Sequence, residues 1–161
     1  MHPLAAIAIV VATLVAMEAL AWAVHRWVMH GVGWCWHRSH HEPEPGRVLE
    51  LNDLYSVIAS VAVTAAFVAS GGPASPWWWA ALGATLYGAA YAVVHDGWAH
   101  SRWPAGRAPR VRWIGRLVQA HRLHHAVRGR DGAVAFGFLW PPSPGRLARS
   151  LRTSGAARRA R

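Results

Sequence analysis

The chain has 161 residues, 53% of them hydrophobic, a formal net charge of +10 and a pI near 11.6. That length suits one domain better than two. A pI so high raises nucleic-acid binding, but long uncharged apolar runs have no use in a soluble nucleic-acid binder, and that class is set aside.

In chain order, Leu4 to Val24 is an apolar run of 21 residues with one charge, Glu18. At about 1.5 Å per residue such a helix crosses a hydrocarbon core of roughly 30 Å. Leu54 to Ser70 and Trp77 to Val94 are further uncharged runs of 17 and 18 residues. The breaker Gly71-Gly72-Pro73-Ala74-Ser75-Pro76 joins them, so they are expected as antiparallel neighbours. Gly132 to Trp140 is too brief to span and is expected to be re-entrant, interfacial or packed under the polar region. The fold class expected is therefore all-α, an integral membrane helical protein with about three spans. A fourth near 132–140 ranks lower. Residues 1–145 form one membrane-embedded domain, and 146–161 a basic tail, disordered or a surface helix.

All 17 basic residues are arginine, and none precedes Arg26. Positive charge after the first run is the reverse of a signal peptide's layout. Arginine is also absent from the 71–76 link, and 14 of the 17 lie from Arg102 onward. The positive-inside rule then predicts an outside N-terminus, with residues 25–50 and everything after Val94 cytoplasmic. The arginines after Arg102 enforce that topology and touch anionic lipid, or dock an acidic electron donor. Cys35 is the single cysteine, which excludes an intramolecular disulfide and any Cys-x-x-Cys site. It is read as a packing residue beside Trp34 and Trp36.

Ten of the eleven histidines follow one plan twice. His25 and His30 form H-x-x-x-x-H, followed by His37, His40 and His41 in H-R-x-H-H. His95 and His100, then His121, His124 and His125, repeat both motifs. In H-R-x-H-H the spacing i, i+3, i+4 puts three imidazoles on one helical face. Val111 to Ala120 reads as an amphipathic helix leading into the last motif. Pro43 and Pro45 are expected to stop the helix carrying His37 to His41. In H-x-x-x-x-H the two side chains diverge by about 140° on a regular helix. Helix ends near Gly31 and Gly97 would turn the second histidine back. The topology places all four clusters on one membrane face. Ten imidazoles suffice for two metal ions, and imidazole suits Zn, Cu, Fe and Ni alike. Glu18, Asp53 and Asp96 are candidate partners that orient ligand histidines. His2 stands apart.

The paired motifs, with Trp36-His-Arg-Ser-His-His-Glu42, Glu50-Leu-Asn-Asp-Leu-Tyr55, Val94-His-Asp-Gly-Trp-Ala-His100, Gln119-Ala-His-Arg-Leu-His-His125 and Phe136-Gly-Phe-Leu139, resemble the fatty acid hydroxylase/desaturase superfamily. The words around the boxes and the small size resemble its bacterial carotenoid-ring hydroxylase branch. The resemblance implies two non-haem iron ions, with O2 as co-substrate. The activity implied is hydroxylation at C3 of each β-ionone ring, from β-carotene through β-cryptoxanthin to zeaxanthin. The implied partners are a carotenoid in the bilayer, membrane lipid and reduced ferredoxin as electron donor, with no nucleic acid. The implied location is the bacterial inner membrane. A carotenoid ketolase, a lipid hydroxylase or desaturase, and a His-rich membrane metal carrier are the rival readings.

Overall fold

Apolar runs with a proline just inside their start become helices here. In the computed structural model, which describes residues 1–44, 46–47 and 49–154, α1 spans Pro3–Ala23 and α2 spans Trp34–His41. Next come α3 at Asp53–Ser70, α4 at Pro76–Tyr91, α5 at Arg112–His124 and α6 at Pro144–Thr153. The described residues contain no strand, so the chain is all-α. Proline occupies the first turn of α1, α4 and α6, where its missing N–H costs nothing. The Ser75 hydroxyl caps α4, and His2 caps α1 by accepting the Leu4 N–H at 3.3 Å. Gly71, at φ +69°, ends α3 in the left-handed conformation that favours glycine.

Two π-helical segments, Val24–Val32 and Ala92–Ala99, prolong α1 and α4 without a break. The helical segments end at Val32 and Ala99, one and two residues past the expected Gly31 and Gly97, with the widened turn ahead of each end. An i→i+5 turn is wider than an α turn and brings residues five apart towards one face. The His100 N–H donates to the His95 carbonyl at 3.0 Å in that pattern. Gly31 does leave helical geometry, at φ −120° and ψ −119°, but Gly97 lies inside its helix.

Pro3–Val32 and Asp53–Ser70 are each long and apolar enough to cross a membrane. The third expected span forms an α-helix of only 16 residues, continued directly by the second π segment. It packs between α1 and α3. A Cβ on Gly83 would stand 2.8 Å from Thr13 Cβ and 2.9 Å from the Val10 carbonyl, so glycine lets the α1 and α4 backbones meet. No residue of α3 is buried, and Val61 and Val68 are 64% and 79% exposed. An apolar face of that extent suits hydrocarbon rather than water.

Residues 132–140 form no helix and pack as irregular chain beside α1 and the histidines. The basic tail is a docked helix as far as Thr153: Leu147 and Leu151 of α6 are buried, Leu151 against Val127. Residues 155–161, and Pro45 with its expected helix-stopping role, lie outside the described residues. Cys35 is exposed rather than packed, because the buried residues of α2 are His37, His40 and His41.

Candidate metal centre

The ten histidines converge where the two π segments, α2 and α5 meet. Three groups bring one ligand atom per residue within 4.8 Å of each other. They are His25, His30, His37 and His124; His40, His95, His100 and His121; and His41, His124 and His125. The grouping follows the sequence repeat with an exchange. Each H-x-x-x-x-H pair joins the first histidine of the H-R-x-H-H motif in its own half and the middle histidine of the other. Thus His37 and His124 complete one set, while His121 and His40 complete the other. His41 and His125 occupy equivalent places and stack between the sets, ring centres 4.3 Å apart.

The hydrogen bonds fix which nitrogen faces inward. The Nδ1 atoms of His25, His30, His41 and His124 donate to the carbonyls of Phe136, Arg130, Val127 and Val134 at 2.7–3.0 Å. A carbonyl only accepts, so each Nδ1 carries its proton and each neutral ring presents a lone pair at Nε2. His37 Nδ1 pairs with Asn52 Oδ1 at 2.7 Å, His40 Nδ1 with Glu50 Oε2 at 2.8 Å and His95 Nδ1 with Asp96 Oδ1 at 2.8 Å. This is the partner arrangement metal-binding histidines use.

The inward nitrogens fit a cation. Nε2 of His25, His37 and His125 are buried without a hydrogen-bond partner among the described residues. Nε2 of His124 approaches Nε2 of His30 at 3.1 Å and Nε2 of His41 at 3.2 Å. With their protons on Nδ1, these rings meet lone pair to lone pair, an arrangement a shared cation stabilises. Burial keeps the rings outside the apolar spans neutral, chiefly by desolvation and then by the neighbouring imidazoles. His37 is lowered to about 3 by desolvation, despite the Asn52 bond. Desolvation likewise takes His41 to about 4 and His100 to about 3. Desolvation also holds His40, His121, His124 and His125 well below the ordinary imidazole value. Neutral imidazole is the form that ligates.

The acidic candidates divide. Asp96 holds His95 directly. Asp53 instead takes Arg102 through two bonds of 2.7 Å, raising the pKa of that guanidinium, which lies 3.5 Å from Asp96. Glu18 touches no histidine among the described residues. Its Oε1 accepts the N–H groups of Phe138 and Leu139 at 2.8 and 2.9 Å, and its Oε2 the Tyr87 hydroxyl at 2.8 Å. It thereby pins the irregular segment whose carbonyls hold His25 and His124. Sequence reasoning missed the roles of Glu50, Asn52 and the four carbonyls. Glu50-Leu-Asn-Asp, a run of acid and amide before a span, was the available signal for the first two. Tyr91, stacked on His95 at 4.3 Å, was also unforeseen. Of the tryptophans flanking the boxes, Trp34 packs on His30 and His41, each at 5.3 Å.

The fatty acid hydroxylase family model matches residues 10–142. A β-carotene hydroxylase of a Paracoccus species is 51% identical over 93% of this chain and 93% of its own. The β-carotene hydroxylase of Pantoea ananas is 46% identical over 93% of this chain and 85% of its own. A chloroplastic β-carotene 3-hydroxylase of Haematococcus lacustris is 36% identical over 83% of this chain and 42% of its own. No solved structure matches the chain. With a helical frame, ten converging histidines and similarity over almost its whole length, the chain belongs to the fatty acid hydroxylase family, alongside the bacterial β-carotene hydroxylases.

Proposed function

We propose that this chain hydroxylates C3 of the β-ionone rings of a membrane-dissolved carotenoid, taking β-carotene through β-cryptoxanthin to zeaxanthin. The observation that carries the reading is the pair of exchanged histidine sets at the ends of apolar helices, in a chain 51% identical to a β-carotene hydroxylase. The ten histidines from His25 to His125 would hold two non-haem iron ions. Bound there, iron supplies the activation of O2 that an inert ring C–H requires, with two electrons per hydroxylation from an external donor. The protein's own share is placement. The Nδ1 partners fix each imidazole, the π segments bring both histidines of each pair to one centre, and Phe136 packs within 5.4 Å of His25, His30 and His124, keeping water from that side.

The topology that serves this reading has three spans, 1–145 as the membrane-embedded unit, the N-terminus outside, and the histidines and C-terminus facing the cytoplasm of the bacterial inner membrane. Exposed Arg112, Arg116 and Arg122 on α5 offer an acidic donor such as reduced ferredoxin a basic face.

Expression in a β-carotene-accumulating bacterium, aerobically and with ample iron, tests the reading by pigment chromatography. Zeaxanthin and β-cryptoxanthin are the expected products. A C4 ketone or a new ring double bond would assign another reaction, and unchanged β-carotene would sink the proposal.

A further inference from the structure

The two exchanged sets share a plan but differ in what stands behind them. Behind His25, His30 and His124 are the carbonyls of Phe136, Arg130 and Val134, and behind His37 is the side-chain amide oxygen of Asn52. All four acceptors are neutral. Arg26 lies nearby, over the Phe136 ring at 4.8 Å. Asp131, whose charge acts on His30, has a side chain 83% exposed, and solvent screens it.

The other set has a different background. Glu50 accepts from His40 and Asp96 from His95, both at 2.8 Å, and Asp53 stands behind them. The Glu50 side chain is 11% exposed and that of Asp96 23%, so their fields act with little screening. Arg102 compensates one of these three negative charges, paired to Asp53 and 3.5 Å from Asp96. A carboxylate accepting the Nδ1 proton pushes electron density through the ring to Nε2, making the imidazole a stronger donor than a carbonyl partner does.

We propose that the two histidine sets are inequivalent cation sites: His40, His95, His100 and His121, backed by Glu50 and Asp96, bind a divalent transition metal more tightly than His25, His30, His37 and His124, backed by neutral oxygens. The inference rests on the histidines being metal ligands and requires neither iron nor a carotenoid. Removing a carboxylate partner typically weakens metal binding about 10- to 100-fold. Two such partners distinguish the sets, so affinities at least about tenfold apart are expected.

The test uses the full chain in detergent micelles, loaded with Co2+ alone and titrated with a competing chelator. Visible absorption of the bound Co2+ is the readout, and helical circular dichroism confirms folding. The wild type should release Co2+ in two steps. Glu50→Gln and Asp96→Asn should each move the tight step by about tenfold or more towards the weak one, leaving the weak step in place. Asn52→Asp, which gives His37 a carboxylate, should move the weak step the other way and narrow the gap. A single step for two equal ions, or Asp96→Asn acting on the weak step, would overturn the inequivalence while leaving the metal centre standing. No Co2+ bound by folded wild type would remove the metal reading itself. Should Glu50→Gln fail to fold, Asn52→Asp decides: an unmoved weak step defeats the proposal.

Discussion

Glu18 sits inside α1, is only 8% exposed and makes every hydrogen bond across to another part of the chain. Replacing it with alanine leaves the buried Tyr87 hydroxyl and the half-buried N–H groups of Phe138 and Leu139 without their acceptor. Bonds to a carboxylate contribute about 1.5–3 kcal/mol each when partly buried, so a loss of at least ~2 kcal/mol is expected. The effect should not stop at stability. Residues 134 and 136 supply the carbonyls of His124 and His25, so Glu18→Ala is expected to lower metal content at one set first. Thermal unfolding and metal analysis of the purified variant check this; an unchanged melting temperature with full metal content would detach Glu18 from the centre. At this scale the sequence disclosed the candidate ligands and hid their partners. Histidine spacing at i, i+3 and i+4 is a local property and could be read directly. The bond from His37 to Asn52 crosses 15 positions, that from His25 to Phe136 crosses 111, and a carbonyl leaves no mark in the choice of residue.

The helices were legible where hydrophobic runs meet caps, as at Pro3, Ser75–Pro76 and Gly71. The π segments were not, because an i→i+5 turn has no composition of its own; only the awkward five-residue spacing of His25 to His30 and His95 to His100 hinted that regular helix would fail. The α1–α4 contact was equally invisible, since Gly83 and Gly88 look alike in the sequence. They are not alike in the fold. A Cβ on Gly83 would stand within 3 Å of Thr13 and Val10, whereas a Cβ on Gly88 would meet nothing within 4 Å. Gly83→Leu should therefore force the helices apart and destabilise by about 1–3 kcal/mol. Gly88→Ala should be neutral or stabilising by up to ~1 kcal/mol through helix propensity. Thermal unfolding of the two variants in the same detergent compares them, and equal effects would contradict the close approach of α1 and α4.

The proposed topology of the whole molecule makes a prediction of its own. Cys35 is exposed and lies on the histidine side, while the 71–76 link lies at the far end of α3 and α4. A membrane-impermeant maleimide should label Cys35 in inverted vesicles but not in intact cells after outer-membrane permeabilisation. An Ala74→Cys, Cys35→Ser protein should show the opposite. Labelling of both from one side would exclude the three-span arrangement. The duplication was readable at this scale, and the exchange between its halves was not: nearness in the chain groups His25 and His30 with His37, and only the folded chain brings His124 to them.

That exchange bears on how the protein is made. Synthesis runs from the N-terminus, and the first half emerges with His25, His30 and His37 but without the fourth member of their set. His40, likewise, waits for His95, His100 and His121. Neither half holds all four members of a set, so a growing chain presents no complete four-histidine set to a cation. If the sets hold metal as proposed, a complete four-histidine set forms only after α5 has docked, and loading would then report that the chain has folded.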